Sequence, residues 1–180
     1  MATSKQRQTN SNMINLTCDK IVRIIKGKKK LEEKLKVKIE INGKNISLEG
    51  KPEDEYLAEQ VIEALDMGFP FSHALKIVEE DHMFETINIK DHTKRHDLER
   101  IRGRIIGTKG KTLKTLSELT ECHLELKDNT VGVIGPPENI KIATEAIVSI
   151  IQGSKQANVY SFLERNRPAP IIDLGLKKKE

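Results

Sequence analysis

The chain has 180 residues, 37% of them hydrophobic, only 3% aromatic and none tryptophan, with a formal net charge of +4. That length allows one medium domain or two small ones, and the shortage of aromatic side chains argues against a nucleic-acid reader built on stacked aromatic platforms. No apolar run approaches the ~18 residues of a membrane span, Met1–Asn12 lacks the apolar stretch of a signal peptide, and Cys18 and Cys122 make neither a C-x-x-C nor a disulfide framework, so the expectation is a soluble, intracellular protein with reduced thiols.

Charge is unevenly spread. Lys20–Lys38 holds nine basic and two acidic residues, Lys51–Glu85 two basic and ten acidic, and Arg100–Lys114 six basic and none acidic. A basic face for a polyanion and an acidic face for a basic protein both follow from such blocks.

In chain order, residues 1–11 read as a flexible tail, and the weak alternation through Met13, Ile14 and Leu16 predicts a short first strand. Thr17 or Asp19 is placed to cap a helix through Val22 and Ile25; Gly27 is expected to interrupt it, with a second short helix running to about Leu35. Val37, Ile39 and Ile41 alternate with charged residues as a strand, Asn42-Gly43 is a strong hairpin signal, and Ile46 and Leu48 lie on the return. Gly50-Lys51-Pro52 breaks the strand, and a helix from Glu53 to Met67 ends at Gly68.

Residues 39–68 overlay residues 124–153 without a gap, at an offset of 85, with seven identities including Gly50/Gly135, Pro52/Pro137 and Gly68/Gly153. Coincidence of both turns and both terminal glycines points to two copies of one unit. Each is followed by a short apolar segment, Phe71–Val78 and Val159–Leu163. The second copy is predicted as a strand Phe84–Ile89, a helix His92–Arg104, a loop, a helix Thr112–Glu121, a strand His123–Lys127, a turn at Asp128-Asn129, a strand Thr130–Ile134 and a closing helix Glu138–Gln152.

The loop reads Gly107-Thr108-Lys109-Gly110. Glycines let a backbone ligand approach closely, and helix-opening N–H groups favour an anion. With Arg102, Arg104, Lys111 and Lys114 around it, the loop is a candidate clamp for a phosphodiester chain, against the plain alternative of an ordinary inter-helix turn. Ile105, Ile106, Leu124 and Leu126 are expected to divide between core and groove floor, with the face of each left open. The corresponding place in the first copy is expected near Lys26-Gly27-Lys28-Lys29, where lysines replace both glycines; that run is either a non-specific attraction for a polyanion or a solvated helix face.

Ile105-Ile106-Gly107-Thr108-Lys109-Gly110 resembles the signature of the KH domain, a reader of single-stranded nucleic acid. The resemblance implies an α+β fold of two tandem type I KH domains (βααββα), each a three-stranded antiparallel sheet with helices on one face: 12–83 divergent, 84–167 with an intact loop, and 168–180 a basic tail. The run from Gly103 to Thr112, with Gly135, Asn139–Ala143, Gly153-Ser154 and Val159-Tyr160, is similar to the two-KH assembly factors of the small ribosomal subunit in archaea and eukaryotes. That resemblance implies RNA binding near the 3′ end of small-subunit ribosomal RNA by Gly107, Thr108, Lys109, Gly110, Lys111, Arg102, Arg104, Lys114, Ile105 and Ile106. It also implies partnership with the endonuclease that trims this end and with the α subunit of initiation factor two. No cofactor, metal or catalytic activity is implied. The location is cytoplasmic, or nuclear and nucleolar in a eukaryote, and the short chain favours an archaeal source.

Two other readings remain. A KH pair could regulate messenger RNA or translation. An enzyme would need a site, and His92 and His96, four apart on the predicted helix, have metal-ligand spacing but no evident third ligand; His123 has no candidate partner.

Overall fold

A computed structural model describes residues 13–166. The chain folds as two three-stranded antiparallel sheets, each with helices and a core of its own. The first half comprises β1 (Met13–Thr17), α1 (Ile21–Leu35), β2 (Lys38–Asn42), β3 (Asn45–Glu49), α2 (Pro52–Met67), α3 (Phe71–Ala74) and α4 (Lys76–Glu79). The second comprises β4 (Met83–Asn88), a 3₁₀ turn Ile89–His92, α5 (Leu98–Ile106), a 3₁₀ turn Thr108–Gly110, α6 (Lys111–Thr120), β5 (His123–Lys127), β6 (Thr130–Gly135), α7 (Pro137–Gln152) and α8 (Gln156–Arg165). Strand orders are β1-β3-β2 and β4-β6-β5. The expected tails at 1–11 and 168–180 lie outside the described residues.

The repeat extends into packing. An added Cβ on Gly50 would lie 2.9 Å from Val37, and one on Gly135 would lie 2.5 Å from Cys122, the residue 85 further along. Lys36 and Glu121, also 85 apart, both take the left-handed conformation that ends α1 and α6. The first strands obey a different offset. Ile14 sits opposite Leu48 and Glu85 opposite Val133, so β1 and β4 are related by 71 residues while everything later is related by 85. The second unit therefore carries 14 extra residues between its first strand and the glycine loop, and they hold the 3₁₀ turn and most of α5.

This corrects the reading of the first copy. Gly27 does not interrupt its helix: α1 is continuous, and the first unit runs βαββα where βααββα was expected. Gly27 serves packing instead, since a Cβ there would collide with the Phe71 ring. The residues equivalent to Gly107–Gly110 are Val22–Ile25 rather than Lys26–Lys29, and they are helical. The start of α1 is not capped by Thr17 or Asp19 either. Asp66, at the far end of α2, accepts from the Asp19 and Lys20 N–H groups at 2.7 and 2.9 Å, satisfying two donors from across the unit.

The halves are joined through β6, which is buried on both faces. Val131 and Val133 face the second core, while Ile134 packs into the first. Gly132 lies so close to the first half that a Cβ would be 2.8 Å from both Met67 and Phe69. Lys127 of β5 pairs with Asp66 at 2.7 Å and Asp19 at 3.4 Å. The Cys18 thiol donates to Asp66, and burial, reinforced by that carboxylate, pushes its pKa up to about 12, far from a reactive thiolate.

His123 does have a partner: its ring stacks on His73 of α3, centroids 3.6 Å apart and planes 8° from parallel. Burial, then the neighbouring His73, lowers the His123 pKa from 6.5 to about 4. Lys76 and His82 act in the same direction and Glu80 against it. The unfolded chain thus binds a proton that the folded one refuses between these values. Stability is expected to be full above pH 6.5 and to decline as pH falls toward about 4. Thermal melts between pH 7 and 4.5 check this, and His123→Gln should flatten the profile.

Candidate nucleic-acid interface

The glycine loop is built by the apolar spacing of the helices on either side. Ile101 and Ile105 bury α5, Leu116 buries α6, and all three join the core of the second unit. Between Ile106 and Lys111 the backbone turns through a sequence of positive φ: Gly107 (73°), Lys109 (53°) and Gly110 (76°). Gly107, with ψ 177°, sits in a region essentially reserved for glycine, and a Cβ there would collide with the Thr112 hydroxyl. Gly110 faces open space, with no atom within 4 Å of where its Cβ would stand.

The base of the loop is tied down from α8. The Gln156 amide donates to the Arg104 carbonyl at 3.1 Å and to the Thr112 hydroxyl at 2.9 Å, pinning the end of α5 to the start of α6. Neither Gln156 nor Thr112 stands out in the sequence. The repeat holds the signal, because the equivalent pair is Phe71 against Gly27, a contact at the same place with different chemistry.

Beside the loop lies a shallow groove of about 380 Å³, lined by Gly110, Leu113, Lys114, Ser117, Glu118 and Leu124. Leu113 and Leu124 make an apolar floor between α6 and the outer edge of the β5 strand. In the first unit, Ile39 occupies the equivalent of Leu124, and its N–H leaves the sheet to meet the Glu32 carboxylate at 2.9 Å. The matching pairings Ile39↔Leu48 and Leu124↔Val133 turn the Leu124 N–H outward in the same way, into the groove. The site thus combines an exposed backbone turn, an apolar slot and a strand edge.

The ten residues expected at the interface do not all gather there. Thr108, Lys109 and Lys111 are exposed on the loop and first turn of α6, where no acidic residue stands. Lys114 is exposed on the groove wall, 3.8 Å from Glu118. Ile106, 38% exposed, borders the loop, but Ile105 is fully buried in the core and cannot touch a ligand. Arg102 and Arg104 are turned to structural partners: Arg102 donates to the Asn129 side chain at 3.0 Å, and Arg104 donates to the Ser154 carbonyl beyond the end of α7. The same device closes α2, where Lys20 and Arg23 donate to the carbonyls of Met67, Gly68 and Phe69. Cations at helix C-termini offset the unpaired carbonyls and the dipole.

The predicted helix His92–Arg104 is shorter than expected. His92 ends a 3₁₀ turn, His96 precedes α5, and the i, i+4 face that would have paired them is not formed. Among the described residues no three His, Cys, Asp or Glu side chains are grouped as metal ligands, and no helix is long and apolar enough to cross a membrane.

A model of the second KH domain of PNO1, described as a eukaryotic type KH-domain (KH-domain type I), matches residues 83–168. A KH domain-containing protein of Methanocaldococcus jannaschii is 32% identical over 147 residues, 78% of this chain and 65% of that protein. The pre-rRNA-processing protein PNO1 of Yarrowia lipolytica is 34% identical over 143 residues, 74% of this chain and 55% of that one. The chain thus spans less than two thirds of the length of these curated relatives. Dim2p from Pyrococcus horikoshii superposes with a TM-score of 0.79 at 30% identity, covering 85% of this chain and 98% of that structure. A crystal structure of a complex of a/eIF2alpha, aDim2p and rRNA from the same organism gives 0.79 and 30% over 86% of this chain and 93% of that chain.

Proposed function

This chain belongs to the family of PNO1- and Dim2p-type KH proteins, and from that premise we propose that its second unit binds single-stranded RNA near the 3′ end of small-subunit ribosomal RNA during ribosome assembly. The observation that carries the reading is the open turn Gly107–Gly110, with Lys109, Lys111 and Lys114 exposed around it and an apolar groove alongside. The lysines neutralise phosphates, the turn admits the sugar–phosphate chain, and unstacked bases lie over Leu113 and Leu124 with their edges toward Glu118 and the β5 edge. The chain acts by binding rather than catalysis.

In this reading the two halves are two KH domains, 12–83 and 84–167, and only the second keeps the clamp. Arg102 and Arg104 shape the site from behind, with their remaining N–H groups available to phosphate. The names of the relatives support the setting: PNO1 is a pre-rRNA-processing protein, and aDim2p has been crystallised with rRNA and a/eIF2alpha. The initiation factor two α subunit and the endonuclease that trims the rRNA end are the proposed protein partners, in the cytoplasm of an archaeal cell.

Crosslinking in cells with nucleotide resolution tests the assignment. Contacts should cluster at the 3′ region of small-subunit ribosomal RNA; contacts spread over messengers would replace it with a translational role. The two glycines should also separate. Gly110→Ala, strained in φ but with open space for its methyl group, should cost only about 1 kcal/mol of stability, yet reduce RNA affinity at least about tenfold by blocking close approach. Gly107→Ala should lower stability by more, because its methyl group collides with Thr112. Urea titrations and gel shifts on both variants measure the contrast.

A further inference from the structure

The equivalent helices α2 and α7 each end beside two cations, and the two units use them differently. In the first unit an added Cβ on Gly68 would lie 2.8 Å from the Lys20 ammonium. Lys20 donates to the Met67 carbonyl at 3.0 Å, and Arg23 donates to the carbonyls of Gly68 and Phe69. Both cations are tied to carbonyls that the end of α2 leaves open.

In the second unit Gly153 takes the place of Gly68, and Ser154 that of Phe69. Arg104 has the role of Arg23, donating to the Ser154 carbonyl. Arg95 stands where Lys20 stands: its Nη2 would be 3.7 Å from an added Cβ on Gly153, and the Arg104 Nη1 3.8 Å from the same point. Unlike Lys20, the Arg95 guanidinium is exposed and makes no hydrogen bond or ion pair among the described residues. Two guanidinium groups thus converge on one point, one of them with every donor free. Like charges so placed repel until an anion joins them, and a pair of planar forks suits the oxygens of a phosphate. The place adjoins the glycine loop. Gln156, two residues past Ser154, donates to the Arg104 carbonyl and to the Thr112 hydroxyl, which lies against Gly107. Lys155, between them in the chain, is exposed. That proximity favours a phosphate of the strand held by the loop over a carboxylate of a protein.

We propose that Arg95 and Arg104, with Lys155 beside them, hold a further phosphate of the RNA strand beyond the base of the glycine loop. The proposal rests on the RNA reading of the loop and adds to it a contact outside the groove.

The test titrates the full chain with a single-stranded RNA 12-mer from the 3′ region of small-subunit ribosomal RNA, and with 12-mers carrying one uncharged methylphosphonate at each position in turn. Arg95→Gln should weaken binding of the unmodified strand about tenfold and reduce the salt slope by about 0.7. Its melting temperature should equal that of the parent, since the side chain is exposed and unbonded. At one position the methylphosphonate should weaken binding to the parent by a similar factor and to Arg95→Gln no further. Lys109→Asn should keep its sensitivity at that position and lose it elsewhere. Parent-like RNA affinity in Arg95→Gln, or loss of sensitivity at the same position as in Lys109→Asn, would overturn the proposal and leave the loop assignment standing. A lower melting temperature with unchanged RNA affinity would make Arg95 a helix cap only. Inorganic phosphate that stabilises the parent but not Arg95→Gln, with equal RNA affinity, would assign the pair to a free anion instead. Parent-like affinity after Thr108→Asp with Lys109→Asp would count against the loop itself.

Discussion

Replacing Thr108 and Lys109 together by aspartate is expected to lower affinity for single-stranded RNA by at least about 100-fold, or roughly 3 kcal/mol, with the fold intact. The size follows from the charge change. One ammonium leaves and two carboxylates arrive where the turn would meet phosphate, so Lys111 and Lys114 do no more than cancel them and no net positive charge remains. The fold should survive because both side chains are exposed and neither enters the core. Lys109 sits at φ 53°, a left-handed conformation that aspartate tolerates better than most residues. Gel shifts measure the affinity and circular dichroism the fold. In the unsubstituted protein log affinity should fall with log salt by about 0.7 for each phosphate neutralised, and the slope should shrink as contacts are lost. A folded double variant that binds RNA as tightly as its parent would remove the loop from the interface.

The loop is legible in the amino-acid sequence because a tight turn between two amphipathic segments depends on residues close together in the chain. So are the Asn42-Gly43 hairpin and the helix ends at Gly68 and Gly153, where a glycine with positive φ closes the helix. What the sequence conceals depends on distant contacts. Gly27 looks like a helix breaker until Phe71 is seen lying against it. The stretch 92–97 reads as helix by its length, but it has no apolar side chain to bury, and the helix begins where Leu98, Ile101 and Ile105 supply a stripe. The charges of Arg102 and Arg104 are visible, but their partners Asn129 and Ser154 lie 27 and 50 residues away. The lining residues Leu113, Ser117 and Glu118 become a groove only once β5 lies beside α6.

The missing 14 residues of the first unit link these points to the division of labour. With no second helix before the loop position, α1 runs straight through it, and a chain reversal that exposes backbone becomes a helix that satisfies it. The same deletion that removes the clamp therefore leaves Val22 and Ile25 on the surface. What the first unit supplies to the second is mechanical: it covers the outer face of the sheet whose inner face supports α5, α6 and the loop.

That support is the source of the second large effect. Phe69→Ala is expected to destabilise the protein by about 3–5 kcal/mol, a large part of a total that is typically about 5–15 kcal/mol. The Phe69 ring is fully buried, meets Phe84 edge-on with centroids 6.2 Å apart, and fills the space that Gly132 leaves on β6. Truncation opens a cavity at the junction of the two halves and strips contacts from β4 and β6 together. Urea unfolding followed by circular dichroism measures the loss, since the chain has no tryptophan to report it. RNA affinity without denaturant should change less than about twofold, because the sheet stands between Phe69 and the loop, and packed interiors relax only partially around a deletion. A loss of stability below about 1 kcal/mol would show that the halves merely abut, since a well-packed buried phenylalanine costs several times that to remove. In that case the second unit would have to hold its loop without the first.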